Sequence, residues 1–156
     1  MDTGPDRRIR RLLDGEKIPY HLLLLADETT EGIDRYIRES DIYIVENKGR
    51  FIVVYVLQPV DSSVIEIKNI AVDQEYQGRG IGLSLLSDAI RRAGEEGYSE
   101  IIIGTATQAA RQISLYEKAG FKKYAIKKDF YLRLYPDPII ENGVQLRDMV
   151  MLKKVL

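Results

Sequence analysis

Three glycines stand at alternate positions in a short segment between an apolar run and an amphipathic stretch. The segment consists of Gln77, Gly78, Arg79, Gly80, Ile81 and Gly82. Glycine carries no Cβ, so the backbone N–H groups of such a loop can approach a ligand closely. The start of the following helix adds its partial positive charge at the same place. These residue types at this spacing predict a site for a phosphate-bearing cofactor.

Two common phosphate-binding motifs do not fit this glycine loop. A Walker loop requires Gly-Lys-Ser/Thr after four spacer residues, and that sequence is absent here. A dinucleotide-binding fingerprint would place its third glycine at position 83, where Leu83 stands, and would follow alternating strands and helices. Taken by itself, the loop is also compatible with an ordinary glycine turn that binds nothing.

The strand that precedes the loop, residues 64–72, has an irregular apolar pattern. Its apolar residues occupy positions 65 and 67 and then 70 and 72. A strict period of two would send these two pairs to opposite faces of a sheet. A β-bulge near Lys68 and Asn69 would restore one apolar face. A strand that is buried on both faces explains the pattern equally well, so the sequence leaves both alternatives open.

The remaining pattern predicts a mixed α/β fold in a single domain over residues 1–156. We expect a strand near residues 7–12, helices at 19–26 and 30–39, and strands at 42–46, 51–57 and 64–72. After the loop we expect a helix that Gly94 and Gly97 can end, a strand at 101–104, a helix at 109–119, and strands at 121–131 and 144–152. This order predicts a mixed sheet with helices on both faces.

The composition excludes several functional classes. The chain has 23 Lys and Arg against 24 Asp and Glu, so no basic excess favours nucleic-acid binding. It has no cysteine and one histidine, which excludes a thiol nucleophile and a Cys-ligated zinc and leaves no metal site to predict. No apolar run approaches the ~18 residues of a membrane helix. The N-terminus lacks the features of a signal peptide, so we expect a cytoplasmic protein without a membrane partner.

Two motifs together resemble the GNAT superfamily of acyl-CoA-dependent N-acetyltransferases. The glycine loop fits the pyrophosphate-loop pattern of these enzymes, Arg/Gln-x-x-Gly-x-Gly/Ala, at every position. Residues 115–121 look like the Leu-Tyr-x-Lys-x-Gly-Phe signature that closes the next helix of the superfamily. The interval between the motifs and the order of elements also resemble the superfamily, whereas the N-terminal part matches in pattern only.

The resemblance implies a fold and a reaction. The fold would be a mostly antiparallel sheet of six to seven strands with a splayed central strand pair. The reaction would transfer an acetyl group from acetyl-CoA to a primary amine within a ternary complex, since an acetyl-cysteine intermediate requires a cysteine. The acceptor would be a small-molecule or peptide amine, and the protein a monomer or homodimer. The alternatives are a non-catalytic CoA-binding module and an acetyltransferase of protein lysines or N-termini.

The resemblance also assigns residues to the cofactor. Main-chain groups of Ile70, Ala71 and Val72 would pair with the pantetheine arm, and the N–H of Val72 would point at the thioester carbonyl. The N–H groups of residues 78–82 would hold the pyrophosphate, with the Arg79 side chain near a phosphate. Many members carry an asparagine where this chain has Ala109, and Thr107 or Gln108 is the expected substitute.

Two residues are candidates for proton transfer. Glu66 lies six residues before Val72, where many members of the superfamily carry a glutamate base that often acts through water. Tyr116 matches the tyrosine that protonates the departing thiolate in that superfamily. An exposed Glu66 paired with Lys68, and a core aromatic at position 116, are the alternatives without a catalytic role.

The acceptor site is the least determined part of the sequence. Its candidate residues are Tyr36, Asp129, Tyr131, Tyr135, Asp137 and Glu141. Acidic and aromatic side chains of this kind could hold a cationic amine. A surface loop containing Pro136 and Pro138 would show the same residues, and the sequence favours that interpretation.

Overall fold

A seven-stranded sheet forms the centre of the molecule in the computed structural model, which describes residues 8–156. The strands are, in chain order, β1 (Arg10–Arg11), β2 (Asp41–Asn47), β3 (Arg50–Pro59), β4 (Val64–Val72), β5 (Glu100–Ala106), β6 (Lys122–Lys127), β7 (Ile140–Glu141), β8 (Val144–Gln145) and β9 (Met149–Val155). The main sheet has the order β1-β2-β3-β4-β5-β9-β6, and β7 and β8 form a separate hairpin. Its neighbours are antiparallel except β4 and β5.

Within residues 8–156, five α-helices accompany the sheet. They are α1 (Tyr20–Leu23), α2 (Thr30–Asp34), α3 (Ile81–Glu95), α4 (Ala110–Lys118) and α5 (Phe130–Leu134). One apolar core contains Leu85 and Leu86 of α3 together with Ile113 of α4. A second core contains Leu22 of α1 and Ile33 of α2. The two cores cover opposite faces because successive strand residues point to opposite sides, which confirms the prediction of helices on both faces.

The residues of the β2–β3 turn and the burial of β3 explain where the central strands begin and end. The β2–β3 hairpin turns at Lys48 and Gly49, both with positive φ, as a tight two-residue turn requires. Strand β3 is buried along Ile52 to Leu57, because each face of the sheet there is covered by one of the two cores. The expected strand at residues 64–72 agrees with β4 at both ends.

Four expected elements differ from the structure. The helix expected at 19–26 is reduced to the single turn of α1, Tyr20–Leu23. The strand expected at 121–131 ends at Lys127, because Asp129 adopts a left-handed conformation and α5 follows it. The strand expected at 144–152 divides into β8 and β9. Its middle is drawn out of the ladder by hydrogen bonds to Ile139, Tyr131 and Thr107. The helix expected at 30–39 divides into α2 and a 3-10 turn, Ile37–Glu39.

The part of the expected first strand before residue 8 lies outside the described residues, and β1 covers Arg10–Arg11. None of the helices described in residues 8–156 has the length and apolar character needed to cross a membrane.

Candidate active site

Strands β4 and β5 part halfway along their length. Their parallel pairing joins residues 64–67 of β4 to residues 100–103 of β5 and then stops. On the other side of β4, Ile67 pairs with Leu57 and Asn69 pairs with Val56, so Lys68 is an extra residue. This register shift confirms the bulge that the apolar spacing suggested. A bulge bends the strand that carries it, and the gap between β4 and β5 opens directly beyond this one.

Beyond the bulge, successive residues of β4 direct their N–H and C=O groups alternately toward β3 and toward the gap. The N–H of Asp73 donates to the carbonyl of Ile52 in β3 at 2.8 Å. In an antiparallel ladder the residues on either side of such a pair turn their polar groups to the opposite edge. The N–H and C=O of Ile70 and Val72 therefore face the gap, whereas those of Ala71 face β3. The side-chain amide of Gln77 donates to the Val72 carbonyl at 2.9 Å.

The glycine loop lies between β4 and the first turn of α3. Gly78 and Gly80 have φ values of 78° and 77°, a conformation that favours glycine. Gly80 is the N-cap of α3, so the unpaired N–H groups of the first turn begin directly after it. A Cβ on Gly78 or Gly80 would meet no protein heavy atom within 4 Å, and both residues are exposed. The space beside Gly78 and Gly80 is therefore open.

Two further residues of the loop pack against other parts of the protein and do not face solvent. Ile81, the first residue of α3, is buried in the core that this helix covers. A Cβ on Gly82 would lie 3.2 Å from Leu115 Cδ2, so this glycine allows α3 and α4 to approach. The Arg79 guanidinium donates to the Glu75 carbonyl at 3.2 Å and lies 5.2 Å from the centre of the Tyr76 ring.

Tyr116 lies on α4 within the core that α3 also covers. The residue is 6% exposed, and burial raises the pKa of its hydroxyl to about 12. No hydrogen bond to the hydroxyl exists within residues 8–156. Its ring meets Phe121 at a centroid distance of 6.4 Å. Tyr116 is thus a core aromatic, and its hydroxyl has no hydrogen-bond partner among the described residues.

Glu66 lies on the opposite face of β4 from this core. Its neighbours Ile65 and Ile67 point into the core that contains Tyr116, so Glu66 points toward the face covered by α1 and α2. Its side chain is 16% exposed, and Lys68 Nζ lies 3.7 Å from Glu66 Oε1. The side chains of Glu66 and Tyr116 are therefore on opposite faces of the sheet, and the gap beside β4 is an opening between these faces.

Residues 8–121 match the family described as Acetyltransferase (GNAT) family. The chain belongs to this family. It is 43% identical over 133 residues to the uncharacterized N-acetyltransferase YvbK of Bacillus subtilis (strain 168), over 85% of this chain and 86% of that protein.

Solved structures of GNAT proteins share the fold. A GNAT family acetyltransferase from Elizabethkingia anophelis, determined with acetyl-CoA bound, is 41% identical with a TM-score of 0.92, over 97% of this chain and 99% of that one. An IAA acetyltransferase from Bacillus cereus ATCC 14579 is 39% identical with a TM-score of 0.88, over 96% of this chain and 99% of that one. The chain is accordingly an acetyltransferase whose cosubstrate is acetyl-CoA.

The geometry of this GNAT chain fits acetyl-CoA. The gap offers the N–H and C=O of Ile70 and the N–H of Val72, whose carbonyl accepts from Gln77, and the loop offers exposed N–H groups at a helix start. The side chain of Thr107 is exposed at the end of β5, and its N–H donates to the Asp148 carbonyl at 3.1 Å. Ala109 is the N-cap of α4 and makes no side-chain cap.

A buried polar cluster on the α1 and α2 face of this GNAT fold was only partly anticipated. Asp27 accepts hydrogen bonds from the hydroxyls of Tyr135 at 2.7 Å and Tyr36 at 3.1 Å. Asn69 Nδ2 donates to the Tyr36 hydroxyl at 3.1 Å. The sequence offered both tyrosines as acceptor-site candidates, did not name Asp27, and named Asn69 only as a position of the expected bulge. Asn69 is the one uncharged polar residue of β4 and lies at the irregular step of its apolar pattern, which was the signal that could have found it.

The acidic candidates of the sequence divide into two groups. Glu141 lies against Glu28, and the burial of Glu28 together with Glu141 raises the pKa of Glu28 to about 7. The cluster so formed comprises Asp27, Glu28, Tyr36, Tyr131, Tyr135 and Glu141, and is called the acidic cluster below. Asp129 and Asp137 are exposed, and the N–H of Asp129 binds Asp148 Oδ1 at 2.8 Å.

The raised pKa of Glu28 predicts a pH-dependent stability. Between the ordinary pKa of 4.5 and about 7, the folded chain holds a proton that the unfolded chain has lost, so the free energy of unfolding falls as the pH rises. We expect Glu28→Gln to raise Tm more at pH values above about 7 than below about 4.5. Thermal unfolding across this range measures the effect. Glu96→Gln, at the exposed end of α3, is the control, and an equal gain at both pH extremes would contradict the prediction.

Proposed function

We propose that this protein is a single-domain N-acetyltransferase, over residues 1–156, that acetylates a primary amine directly within a ternary complex. The observation that carries the proposal is the gap between β4 and β5, which opens at the Lys68 bulge and leaves main-chain groups unpaired. The absence of cysteine from the sequence supports direct transfer, because no thiol can carry the acetyl group. Initial-velocity patterns that intersect, rather than run parallel, are expected for both substrates.

Binding of acetyl-CoA rests on the loop and the gap. The N–H groups of residues 78–82 hold the pyrophosphate, and Arg79 turns from the Glu75 carbonyl toward a phosphate. Ile70 and Val72 pair with the pantetheine arm through their main chains, and Gln77 orders the Val72 carbonyl. Ala71 holds Ile70 and Val72 in place through its main-chain groups, which face β3. Thr107 contributes a hydroxyl from the end of β5. Acetyl-CoA supplies an activated acetyl group as its thioester.

Proton transfers make the amine reactive and the thiol a leaving group. Glu66, directly or through water, accepts the proton that an ammonium must lose before it can attack. A C–N bond to the acetyl carbon then forms and the C–S bond breaks. Tyr116 donates its proton to the departing sulfur and recovers one that the attacking nitrogen loses. In sum, one proton passes to solvent for each acetyl group transferred.

The role of Glu66 gives a testable result. Glu66→Gln is expected to lower kcat/KM at neutral pH by about 100-fold, the lower end of general-base effects. The loss should shrink at high pH, where the amine deprotonates without help. The matched control is Glu100→Gln, because Glu100 also pairs with a lysine, Lys153, at 3.4 Å. Equal rates for both variants would show that Glu66 is an ion-pair residue only.

Two other functions differ in what they predict. A CoA-binding module without catalysis would bind acetyl-CoA and release no thiol with any amine, and the departure at Ala109 is the feature in its favour. A protein acetyltransferase would label protein bands in a lysate supplied with radioactive acetyl-CoA. The unpartnered hydroxyl of Tyr116 favours an enzyme over a binding module, because a module needs no proton donor there.

Thiol release from acetyl-CoA, read with a thiol-reactive dye, tests the proposal. The panel contains polyamines, amino acids, aminoglycosides and short peptides. The protein adds no background signal, since it has no cysteine. Release with one class of amine supports the proposal. Failure with every class, while acetyl-CoA still raises Tm, would replace the enzyme with a binding module.

A further inference from the structure

The bulge at Lys68 decides which face of the sheet each following residue of β4 occupies. Before the bulge, Ile65 and Ile67 lie in the core that α3 covers. With a strict period of two, Asn69 would follow them into that core. Beyond the bulge the alternation is reversed, because Ala71 lies in the core that α1 and α2 cover and the side chain of Asn69 reaches α1. The bulge therefore brings Asn69 to the α1 and α2 face.

The side chain of Asn69 makes two hydrogen bonds that this bulged register alone allows. Asn69 Nδ2 donates to the Leu23 carbonyl at the end of α1 at 3.0 Å and to the Tyr36 hydroxyl at 3.1 Å. An amide in the core that α3 covers would be on the other side of the sheet from both acceptors. Asn69 is 4% exposed, and a buried amide that loses its hydrogen bonds is costly. The side chain of Asn69 therefore favours the bulged register over the regular one.

Asn69 is not the side chain that would make this position most stable. Its Oδ1 is buried and has no hydrogen-bond partner within the described residues. The Leu23 carbonyl also accepts from the N–H groups of Ala26 and Asp27. The Tyr36 hydroxyl donates to Asp27 at 3.1 Å, so neither acceptor of Asn69 depends on it for a partner. An apolar side chain would pack into the apolar core on either face and would not distinguish the two registers.

The register of β4 also decides which of its main-chain groups face the gap. In the bulged register the N–H groups of Ile70 and Val72 face the gap, and that of Ala71 faces β3. A shift of one residue would turn Ala71 to the gap and its two neighbours to β3. A side chain that selects the register therefore selects the groups that a ligand in the gap can meet.

We propose that Asn69 is a positioning residue that selects the bulged register of β4 and so directs the N–H groups of Ile70 and Val72 into the gap. Asn69 acts through the main chain of its neighbours, since its own side chain points to α1. A single buried polar residue fixes the register of coiled coils in the same way, at a cost in stability. The consequence for acetyl-CoA rests on the proposed pairing of the pantetheine arm with these groups.

Asn69→Leu tests the proposal because stability and cosubstrate affinity are expected to respond differently. Leucine branches at the same carbon as asparagine and removes the buried acceptor, so Tm should stay at or above the wild-type value. Loss of the register preference should weaken acetyl-CoA binding about tenfold, measured by calorimetry. A Tm clearly below the wild-type value, or a chain that does not fold, would mark Asn69 as a stabilising residue and overturn the proposal.

Hydrogen exchange at single amides, measured by NMR on the protein without ligand, reports the register directly. In the wild-type chain the N–H of Ala71, which faces β3, should exchange at least about tenfold more slowly than those of Ile70 and Val72. In Asn69→Leu this difference should shrink, because both registers become populated. The wild-type exchange pattern in Asn69→Leu would contradict the proposed selection of register.

Two matched variants separate the register from a general loosening of this face. Tyr36→Phe removes one of the two acceptors of Asn69, and we expect a smaller change of the exchange pattern in the same direction. Ser40→Ala removes the hydrogen bond from Ser40 Oγ to the Tyr36 carbonyl at 2.6 Å, which does not involve β4. We expect Ser40→Ala to keep the wild-type pattern and affinity. Equal changes in Ser40→Ala and Asn69→Leu would overturn the proposal.

Exchange and calorimetry together distinguish this proposal from the proposed function. An altered exchange pattern in Asn69→Leu with wild-type acetyl-CoA affinity would retain the register role and reject the pairing of the pantetheine arm with β4. Weaker acetyl-CoA binding with the wild-type exchange pattern would reject the register role and leave the proposed acetyl transfer standing.

Discussion

Gly80→Val is expected to weaken acetyl-CoA binding at least about a hundredfold, the largest effect of any single change considered. The residue has a φ of 77° and caps α3, so its conformation sets the direction of the N–H groups that follow. Loss of two hydrogen bonds to a charged phosphate removes about 3–6 kcal/mol. The valine side chain also fills the open space above the loop. Calorimetric titration with acetyl-CoA measures the affinity.

A control variant must distinguish the backbone strain of a valine at positive φ from the loss of the phosphate site. Gly97 has a φ of 91° and no protein heavy atom within 4 Å of a built Cβ. It follows the far end of the same helix, so Gly97→Val carries a similar backbone strain, about 1–3 kcal/mol, away from the loop. We expect both variants to lose stability and only Gly80→Val to lose affinity. Unchanged acetyl-CoA affinity in Gly80→Val would reject the loop as the phosphate site.

Tyr116→Phe is expected to lower kcat by about 100-fold or more, within the range of general acid catalysis, and to leave acetyl-CoA affinity nearly intact. The hydroxyl is the only group removed, and the ring keeps its packing against Phe121. The hydroxyl has no hydrogen-bond partner within residues 8–156, so Tm should not fall. Steady-state kinetics, calorimetry and thermal unfolding measure the three quantities.

A matched tyrosine tests whether this effect is specific. Tyr124 lies on β6 with 45% exposure and carries its hydroxyl outside the core. Tyr124→Phe is expected to retain the wild-type kcat. If Tyr116→Phe also keeps the wild-type kcat, the thiolate takes its proton from elsewhere and Tyr116 is a packing residue.

The sequence by itself determined the parts of this protein that depend on neighbouring residues. The glycine loop, the tyrosine signature and the strand at 64–72 follow from spacing within a few positions. The odd step in the apolar pattern near Lys68 allowed either a bulge or a strand buried on both faces, and the register shift between β3 and β4 decided for the bulge. Family membership followed from two such local motifs and the interval between them, and the family comparison confirmed it.

Only the tertiary structure decided how residues far apart in sequence meet. Tyr135 donates to Asp27 across 108 positions, and Asn69 reaches Leu23 across 46. The sequence offered Asp129 and Asp137 as readily as Glu141, yet only Glu141 joins the acidic cluster. The reason is that α5 and the β7–β8 hairpin are short segments whose direction depends on hydrogen bonds to distant partners. Local propensity contains no information about those partners.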